Sequence, residues 1–352
     1  MITISLCMIV RNEEQVLERC LKSVCGIADE IIIVDTGSTD TTKKIARRFT
    51  NKVFNFKWAD DFSKARNFSF SKATGDYILW LDADDVITPE NHKKLLELKK
   101  NLSTDTDIVM IGYDLGHNFQ STRERLFKRE KNYQWQDPVH EYIPLVGNIL
   151  QRSDIFITHK TDHKLNILSD RNIKIYQSVL KRDGTLSPRG KYYYARELKD
   201  HGRYKEAINY FTLFLDEGKG WKEDNISACF ETAICFVRLG ERNKSLDILL
   251  RSFRYDAPRA EICCMIGYYF KEKNDFETAA AWFETVLGLP KPARIGFVSK
   301  DYYDFIPLLE LAVCYDKLQQ YVKANDFNER VGQIRPDSKE YQINKQWFLT
   351  KI

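Results

Sequence analysis

The 352-residue sequence contains no long hydrophobic run. No apolar stretch reaches the roughly 18–20 residues that a membrane helix needs, so no transmembrane segment is expected. The opening MITISLCMIVRNEE lacks a basic first region and a cleavage site, and it turns polar too early for a signal peptide. A cytoplasmic location is the expectation. The eight cysteines include no C-x-x-C pair, and the adjacent Cys263 and Cys264 are badly placed to bridge within a helix. They are expected to stay reduced and to pack as small apolar side chains. No block of one charge stands out either. The net charge is +4, with Lys and Arg interspersed among Asp and Glu, so a nucleic-acid groove is not indicated. Two nucleotide signatures are also missing. Without G-x-G-x-x-G after the first strand a nicotinamide dehydrogenase is disfavoured, and without G-x-x-x-x-G-K-[ST] P-loop chemistry is excluded.

What is present describes a folded chain with two parts. Hydrophobic residues make up 43% and charged residues 30%, as in globular proteins, and the length exceeds one ordinary core. The first part alternates strand and helix. Ile2–Val10 reads as a buried strand, and Val16, Leu17, Cys20, Leu21 and Val24 follow at helical spacing. The run EIIIV at 30–34 suits a parallel strand covered on both faces. It leads into DTGSTDTT, where Gly37 permits a tight turn and Ser38 or Thr39 can cap the next helix. A short strand at 53–56, a helix at 63–73 and a strand at 77–81 come next. Thr88-Pro89-Glu90 then starts a helix, with Thr88 as N-cap and Pro89 at the first position. This order predicts an α/β domain over residues 1–170 with a mainly parallel sheet. Ligands on such sheets bind beyond the carboxyl ends of the strands.

From about residue 171 to 352, β-branched runs give way to Ala, Tyr, Leu and Lys at helical spacing. Small residues recur in similar surroundings: Ala195 and Ala207, then Ala233, Gly240 and Ser245 in a degenerate copy, then Gly267 and Ala279, then Ala312 and Ala324. Small side chains at such points let paired helices approach closely, which predicts an all-α array resembling tetratricopeptide repeats. The last three anchors, Ala233, Gly267 and Ala312, are 34 and 45 residues apart, so only one step keeps the usual period. Such an array can hold a peptide along its concave face, and its ends offer a possible route to a homodimer.

The chemistry concentrates at YILWLDADD, where an apolar strand runs into Asp82, Asp84 and Asp85. Residues two apart on a strand point the same way, so Asp82 and Asp84 converge if strand geometry persists that far. Two carboxylates so close repel each other unless a cation neutralises them, and oxygen ligands suit Mg²⁺ or Mn²⁺. A plain helix-capping loop is the competing explanation, but Thr88 already serves as cap. Asp35 stands at a second strand end.

The stretches SLCMIVRNEE, EIIIVDTGSTDTT, ARNFSFSKATGDYILWLDADD and QWQDPVHEY together resemble glycosyltransferase family 2. With the helical repeats behind them, they resemble a bacterial subgroup that includes peptide S-glycosyltransferases of glycosylated bacteriocins. The resemblance implies a GT-A fold and inverting transfer of a hexose from a nucleotide sugar, usually a UDP-sugar, to a peptide, protein or glycan acceptor. Carried over by position, it implies that Val10, Arg11, Asn12 and Glu13 border the nucleotide and that Asp35 accepts hydrogen bonds from the base. Arg66 and Asn67 would lie near the sugar nucleotide; the competing role for Arg66 is an ion pair on a helix surface. Asp82 would face the ribose or the metal, Asp84 would ligate the metal, and Asp85 would support that shell or touch the donor sugar.

Inverting transfer also needs a general base opposite the leaving nucleotide. The resemblance implies Glu141 for that role, with Asp137 as the alternative and His140 orienting the base or meeting the acceptor. Glu141 could instead pair with Arg123 or Arg125. His159 matches a histidine placed near the metal or diphosphate in many GT-A enzymes, and a neutral imidazole is a reasonable third ligand. Relatives often carry H-x-G-Y there, whereas this sequence continues Lys160-Thr161-Asp162. His159 and His163 have a zinc-like spacing but no convincing third ligand. Arg171-Asn172 resembles a recurrent pair that opens the helix after the catalytic domain. Three other readings stand beside the peptide transferase: an envelope-glycan transferase, a nucleotidyltransferase, and a repeat scaffold without catalysis.

Overall fold

A computed structural model describes residues 2–116, 120–160, 169–290 and 300–352, so His163 lies outside the described residues. The chain divides into two compact units, 1–190 and 191–352.

The first unit is built on one mixed sheet. Its elements are β1 (Ile4–Val10), α1 (Leu17–Ser23), β2 (Glu30–Asp35), α2 (Thr42–Ala46), β3 (Val53–Asn55), α3 (Phe62–Phe70) and β4 (Tyr77–Trp80). They continue as β5 (Asp85–Val86), α4 (Pro89–Asn101), β6 (Ile108–Asp114), β7 (Gln120–Lys128), β8 (Ile149–His159) and α5 (Arg171–Asp183). The strand order is β3-β2-β1-β4-β7-β6-β8-β5. Strands β3, β2, β1 and β4 run parallel, β7 pairs antiparallel with β4 and β6, β8 runs parallel to β6, and β5 closes antiparallel on β8.

Residues 4–10, 32–35 and 77–81 are almost entirely buried, because helices cover both faces of a parallel sheet. One core, with Leu6, Met8, Ile33, Leu79 and Leu81, packs under Leu17, Leu21, Leu95 and Leu98. The opposite face packs Cys7, Ile32, Ile78 and Trp80 against Phe70, Phe127, Trp135 and Ile143. The chain builds outward from β1 through β2 to β3, then returns to place β4 on the other side of β1. That reversal is a topological switch point, where the carboxyl ends of β1, β2 and β4 border a crevice. Thr88 caps α4 as expected, its hydroxyl accepting from the N–H of Asn91, with Pro89 in the first turn.

The helical run starts at Arg171, while the first compact unit continues to Gly190. Helix α5 rests on this unit, with the Tyr176 hydroxyl donating to the Val139 carbonyl.

In the second unit, helices follow one another from the end of α6 (Pro188–Asp200) through α7 (Tyr204–Glu217), α8 (Lys222–Arg238) and α9 (Arg242–Arg251). Then come α10 (Ala260–Glu272), α11 (Phe276–Leu287), α12 (Phe305–Lys317), α13 (Tyr321–Ile334) and α14 (Lys339–Phe348). Ala195, Ala207, Ala233, Ala279, Ala312 and Ala324 are wholly buried and Ser245 nearly so. Gly267 has the clearest reason: a Cβ there would lie 2.8 Å from the Phe283 ring of the partner helix. Gly240 departs from the repeat reading. It sits in the left-handed region, φ +78°, just past α8, where it ends the helix and is not a packing anchor.

Candidate active site

The ends of β1 and β2 form the first wall. Val10 and Asp35 are register partners. After Val10 the chain turns through Asn12 in the left-handed region, φ +55°, which Asn tolerates better than most residues. The N–H of Asn12 donates to the Ser38 hydroxyl at 3.0 Å, and its side-chain oxygen accepts from the N–H of Thr39 at 2.9 Å. The N–H of Glu13 donates to the Thr42 hydroxyl at 2.7 Å. Ser38 and Thr39 therefore do not cap α2, which begins only at Thr42; they tie the 10–13 loop to the 36–42 loop. Arg11 is exposed on that loop.

Asp35 is 1% exposed. Its Oδ1 accepts from the N–H groups of Gly37 and Ser38, 3.0 Å each, and faces Lys43 Nζ at 3.2 Å. Gly37 makes this possible with φ +110°. Burial opposes ionisation of Asp35, but hydrogen bonds from Ser38 and Gly37, with Lys43, outweigh it and pull the pKa down. Oδ2 is buried without a hydrogen-bond partner among the described residues. A buried acceptor left unmade costs free energy, and a donor on a bound base would satisfy it.

At the end of β4 the expectation for the three aspartates needs revising. Strand geometry stops at Trp80, and the Asp85 N–H donates to the Asp82 carbonyl, so residues 82–85 turn and do not alternate. The polar groups that converge are Asp84, Asp85 and His159, with ligand atoms within 4.8 Å of one another. Carboxylate oxygens with one imidazole nitrogen fit a divalent cation such as Mg²⁺ or Mn²⁺. Asp82 stands outside this group.

Asp85 is the buried member. Its carboxylate accepts from Arg125 at 3.0 Å, from the Tyr113 hydroxyl at 2.9 Å and from the Asp82 N–H at 3.0 Å. Burial pushes its pKa up, but the Arg125 charge and these hydrogen bonds prevail and hold it down. Arg125 is itself fully buried, its guanidinium 4.0 Å from the Trp80 ring centroid and 4.5 Å from that of Tyr113. Tyr113 also meets His159 Nδ1 at 3.0 Å. His159 Nδ1 lies 3.5 Å from Asp84 and 3.7 Å from Asp85, and bonds to these two carboxylates raise the histidine pKa to about 10.

Arg66 links the end of β4 to the segment 135–141. Its Nη2 donates to Asp82 at 2.8 Å and its Nε to Glu141 at 2.6 Å. The guanidinium lies beside the edge-to-face pair of Trp80 and Trp135, 4.7 and 5.0 Å from their ring centroids. With 9% of its side chain exposed, Arg66 is not a surface ion pair, and Glu141 pairs with it and not with Arg123 or Arg125. Both carboxylates raise its pKa against the opposing effect of burial. Asn67 is turned to the backbone of Trp135: its side-chain oxygen accepts from the Trp135 N–H at 2.8 Å and its NH₂ donates to the Trp135 carbonyl at 2.9 Å.

Asp137 lies elsewhere. Asp137 accepts from the Ser187 hydroxyl at 2.9 Å, and burial raises its pKa. It lines a cavity of about 230 Å³ with Asp61, Tyr176, Arg182 and Ser187, a cavity that includes none of Asp35, Asp82, Asp84 or Glu141. The His140 carbonyl faces Arg189 Nε at 3.4 Å. Asp137 and His140 have φ above +50°, so the segment before Glu141 is tightly bent. Of the base candidates, only Glu141 shares a partner with the aspartates at the end of β4. Tyr113 and Trp80 have no role in the motif reading, and Arg125 enters it only as an alternative partner for Glu141; an arginine and a tyrosine on strand-like runs give no signal until the strands pair.

Residues 5–157 match the model of glycosyl transferase family 2. A TPR repeat-containing protein of Synechococcus elongatus is 40% identical over 144 residues, 41% of this chain and 36% of its own length. The SPbeta prophage-derived glycosyltransferase SunS of Bacillus subtilis is 29% identical over 373 residues, 99% of this chain and 84% of SunS. Among solved structures, S. aureus TarS 1–349 in complex with UDP-GlcNAc has a TM-score of 0.45 at 14% identity, over 73% of this chain and 93% of that one. No helix among the described residues is long and apolar enough to cross a membrane. Over residues 5–157, most of its N-terminal unit, the chain is a match to glycosyltransferase family 2, and tetratricopeptide-like helices follow that unit.

Proposed function

We propose that the protein is an inverting glycosyltransferase that moves a hexose from a UDP-sugar to a peptide or protein acceptor. The observation that carries this reading is the placement of Asp82 and Glu141 on one buried arginine at the strand ends, next to the Asp84–His159 group. The unpaired Oδ2 of Asp35 supports nucleotide binding, since it can accept one donor from a uracil ring. Asp84 and His159 would hold Mg²⁺ or Mn²⁺, which when bound neutralises charge on the departing diphosphate. Asp85 orients that pair from behind, with Arg125 keeping it ionised. Glu141 takes the proton from the acceptor as it attacks the anomeric carbon on the face opposite the diphosphate. The antiparallel helix pairs of the second unit support a peptide acceptor, because such arrays offer long grooves built from repeated helices.

The test is UDP release from UDP-GlcNAc and UDP-glucose in the presence of Mn²⁺, with the product anomer read by NMR. Turnover that survives both Asp84→Ala and EDTA would refute the metal assignment. An Asp35→Ala variant that binds UDP as tightly as the wild type would refute the base contact. Pyrophosphate as the product would point to nucleotidyl transfer.

A further inference from the structure

Helix α3 makes four hydrogen bonds to one segment, residues 135–141. Its first N–H, that of Phe62, donates to the Pro138 carbonyl at 2.8 Å. One turn on, Arg66 holds the Glu141 carboxylate at 2.6 Å and faces the Trp135 ring. The next residue, Asn67, uses both ends of its amide on the Trp135 backbone, at 2.8 and 2.9 Å. The segment needs such support. It has little regular structure of its own beyond a single bridge between Gln136 and Tyr142, and it contains two non-glycine residues with positive φ, Asp137 and His140. Of these tethers, Arg66 also reaches the end of β4, through Asp82 at 2.8 Å.

We infer that Arg66 and Asn67 are positioning residues, which carry the Trp135–Glu141 segment on α3 and hold Glu141 at a fixed distance from Asp82, and that they are not nucleotide contacts. The inference rests on Glu141 being the base of the proposed transfer. Its geometric content stands on the bonds alone. Arg66 suits the task because a planar guanidinium packed against both indole rings and bonded at two N–H groups cannot rotate freely, and those groups address two carboxylates in set directions. Lysine offers a point charge and cannot hold both. Asn67 suits it because a side-chain amide mimics a paired backbone unit, giving one acceptor and one donor to the same residue.

The consequence is a separation of binding from chemistry. With Arg66→Ala, Glu141 loses its anchor, and a displacement of about 1 Å at a reacting group costs on the order of 100-fold in rate. UDP affinity measured by calorimetry with Mn²⁺ should stay within about threefold, since 1.4 kcal/mol is tenfold and no nucleotide contact is removed. The rate of UDP release from UDP-GlcNAc or UDP-glucose should fall about 100-fold. Free guanidinium, added well below denaturing concentration, should recover part of that rate by entering the space vacated beside Trp80 and Trp135, and methylammonium should not. Loss of UDP affinity with the saturated rate unchanged would overturn the inference, as would the absence of guanidinium rescue.

A second measurement needs no substrate. Hydrogen exchange of peptides covering 133–143 should quicken in Asn67→Ala and in Arg66→Ala, while peptides from β1 and β2 stay protected. Unchanged exchange in 133–143 would overturn the tether. If the wild type releases UDP from no nucleotide sugar, the transferase reading fails, and the exchange result still decides the tether by itself.

Discussion

Replacing Arg125 by Met should destabilise the N-terminal unit more than any other single change at the site. Arg125 and Asp85 are both 0% exposed and 3.0 Å apart. Their mutual attraction is not a reliable gain over a well-packed apolar pair, but removing one partner strands the other as an uncompensated buried charge. That loss is worth about 3–5 kcal/mol. For a unit of 190 residues, each kcal/mol moves the midpoint by about 2–4 °C, so the thermal transition should fall by roughly 6–20 °C. Trp80 and Trp135 are buried beside the guanidinium cluster, and their fluorescence follows this unit through the transition.

Two further arms separate the buried-charge argument from simple loss of packing. Asp85→Asn in the Arg125→Met background removes the stranded charge, so the double variant should be more stable than the single one. The pH dependence should also reverse. In the wild type the Asp85 pKa is depressed, so its contribution is present above the ordinary value of about 3.9 and is lost as pH falls through the lower folded value. In Arg125→Met burial raises that pKa, so the single variant should regain stability relative to the wild type as pH falls towards 4. A midpoint within 2 °C of wild type by the ~2–4 °C-per-kcal/mol scale, or a double variant no more stable than Arg125→Met, would refute the reasoning.

Two other predictions concern the cation group and the repeats. His159 has its pKa raised to about 10 by Asp84 and Asp85, so in EDTA its pairing contributes fully below about pH 6.5 and fades as pH rises through about 10. The urea midpoints of wild type and His159→Gln should therefore differ at pH 6 and converge near pH 10; a constant gap would count against this pairing. Gly267→Val should lower the midpoint of the C-terminal unit, by about 1–3 kcal/mol for overpacking, because its Cβ would meet the Phe283 ring at 2.8 Å. Circular dichroism at 222 nm reads this, and an unshifted midpoint would mean that α10 and α11 are not packed as described.

The parts of the fold legible in the sequence are those where one residue pattern serves one neighbour. The runs at 4–10 and 30–35 are continuous and apolar because helices cover both faces, and Thr88-Pro89 starts α4 by purely local rules. The repeats are legible for a similar reason, since a small residue at a helix crossing reports directly on the helix opposite. The β6–β7 hairpin and its place between β4 and β8 follow no local rule. They depend on which strand β7 finds, and residues 120–128 carry Ser, Thr, two arginines and a glutamate, which read as solvent-facing until Arg125 is seen against Trp80 and Tyr113.

The same limit explains what the motifs do and do not say about the site. Residue spacing places Asp35 and the 82–85 cluster at strand ends, because strand ends are local features. It does not distinguish three adjacent aspartates from one another. That distinction comes from partners 16 to 75 residues away along the chain: Arg66 on Asp82, Arg125 on Asp85, and His159 beside Asp84. The three carboxylates therefore do different things for one physical reason. Each cation, fixed in position by its own strand or helix, takes the carboxylate it can reach, and Asp84, 31% exposed and facing only His159 among these partners, is left with oxygen atoms to offer a metal. A turn at the end of a buried strand is needed for this division. Continued strand geometry would have sent Asp82 and Asp84 to the same side, and Arg66 could not then have held one of them without covering the other.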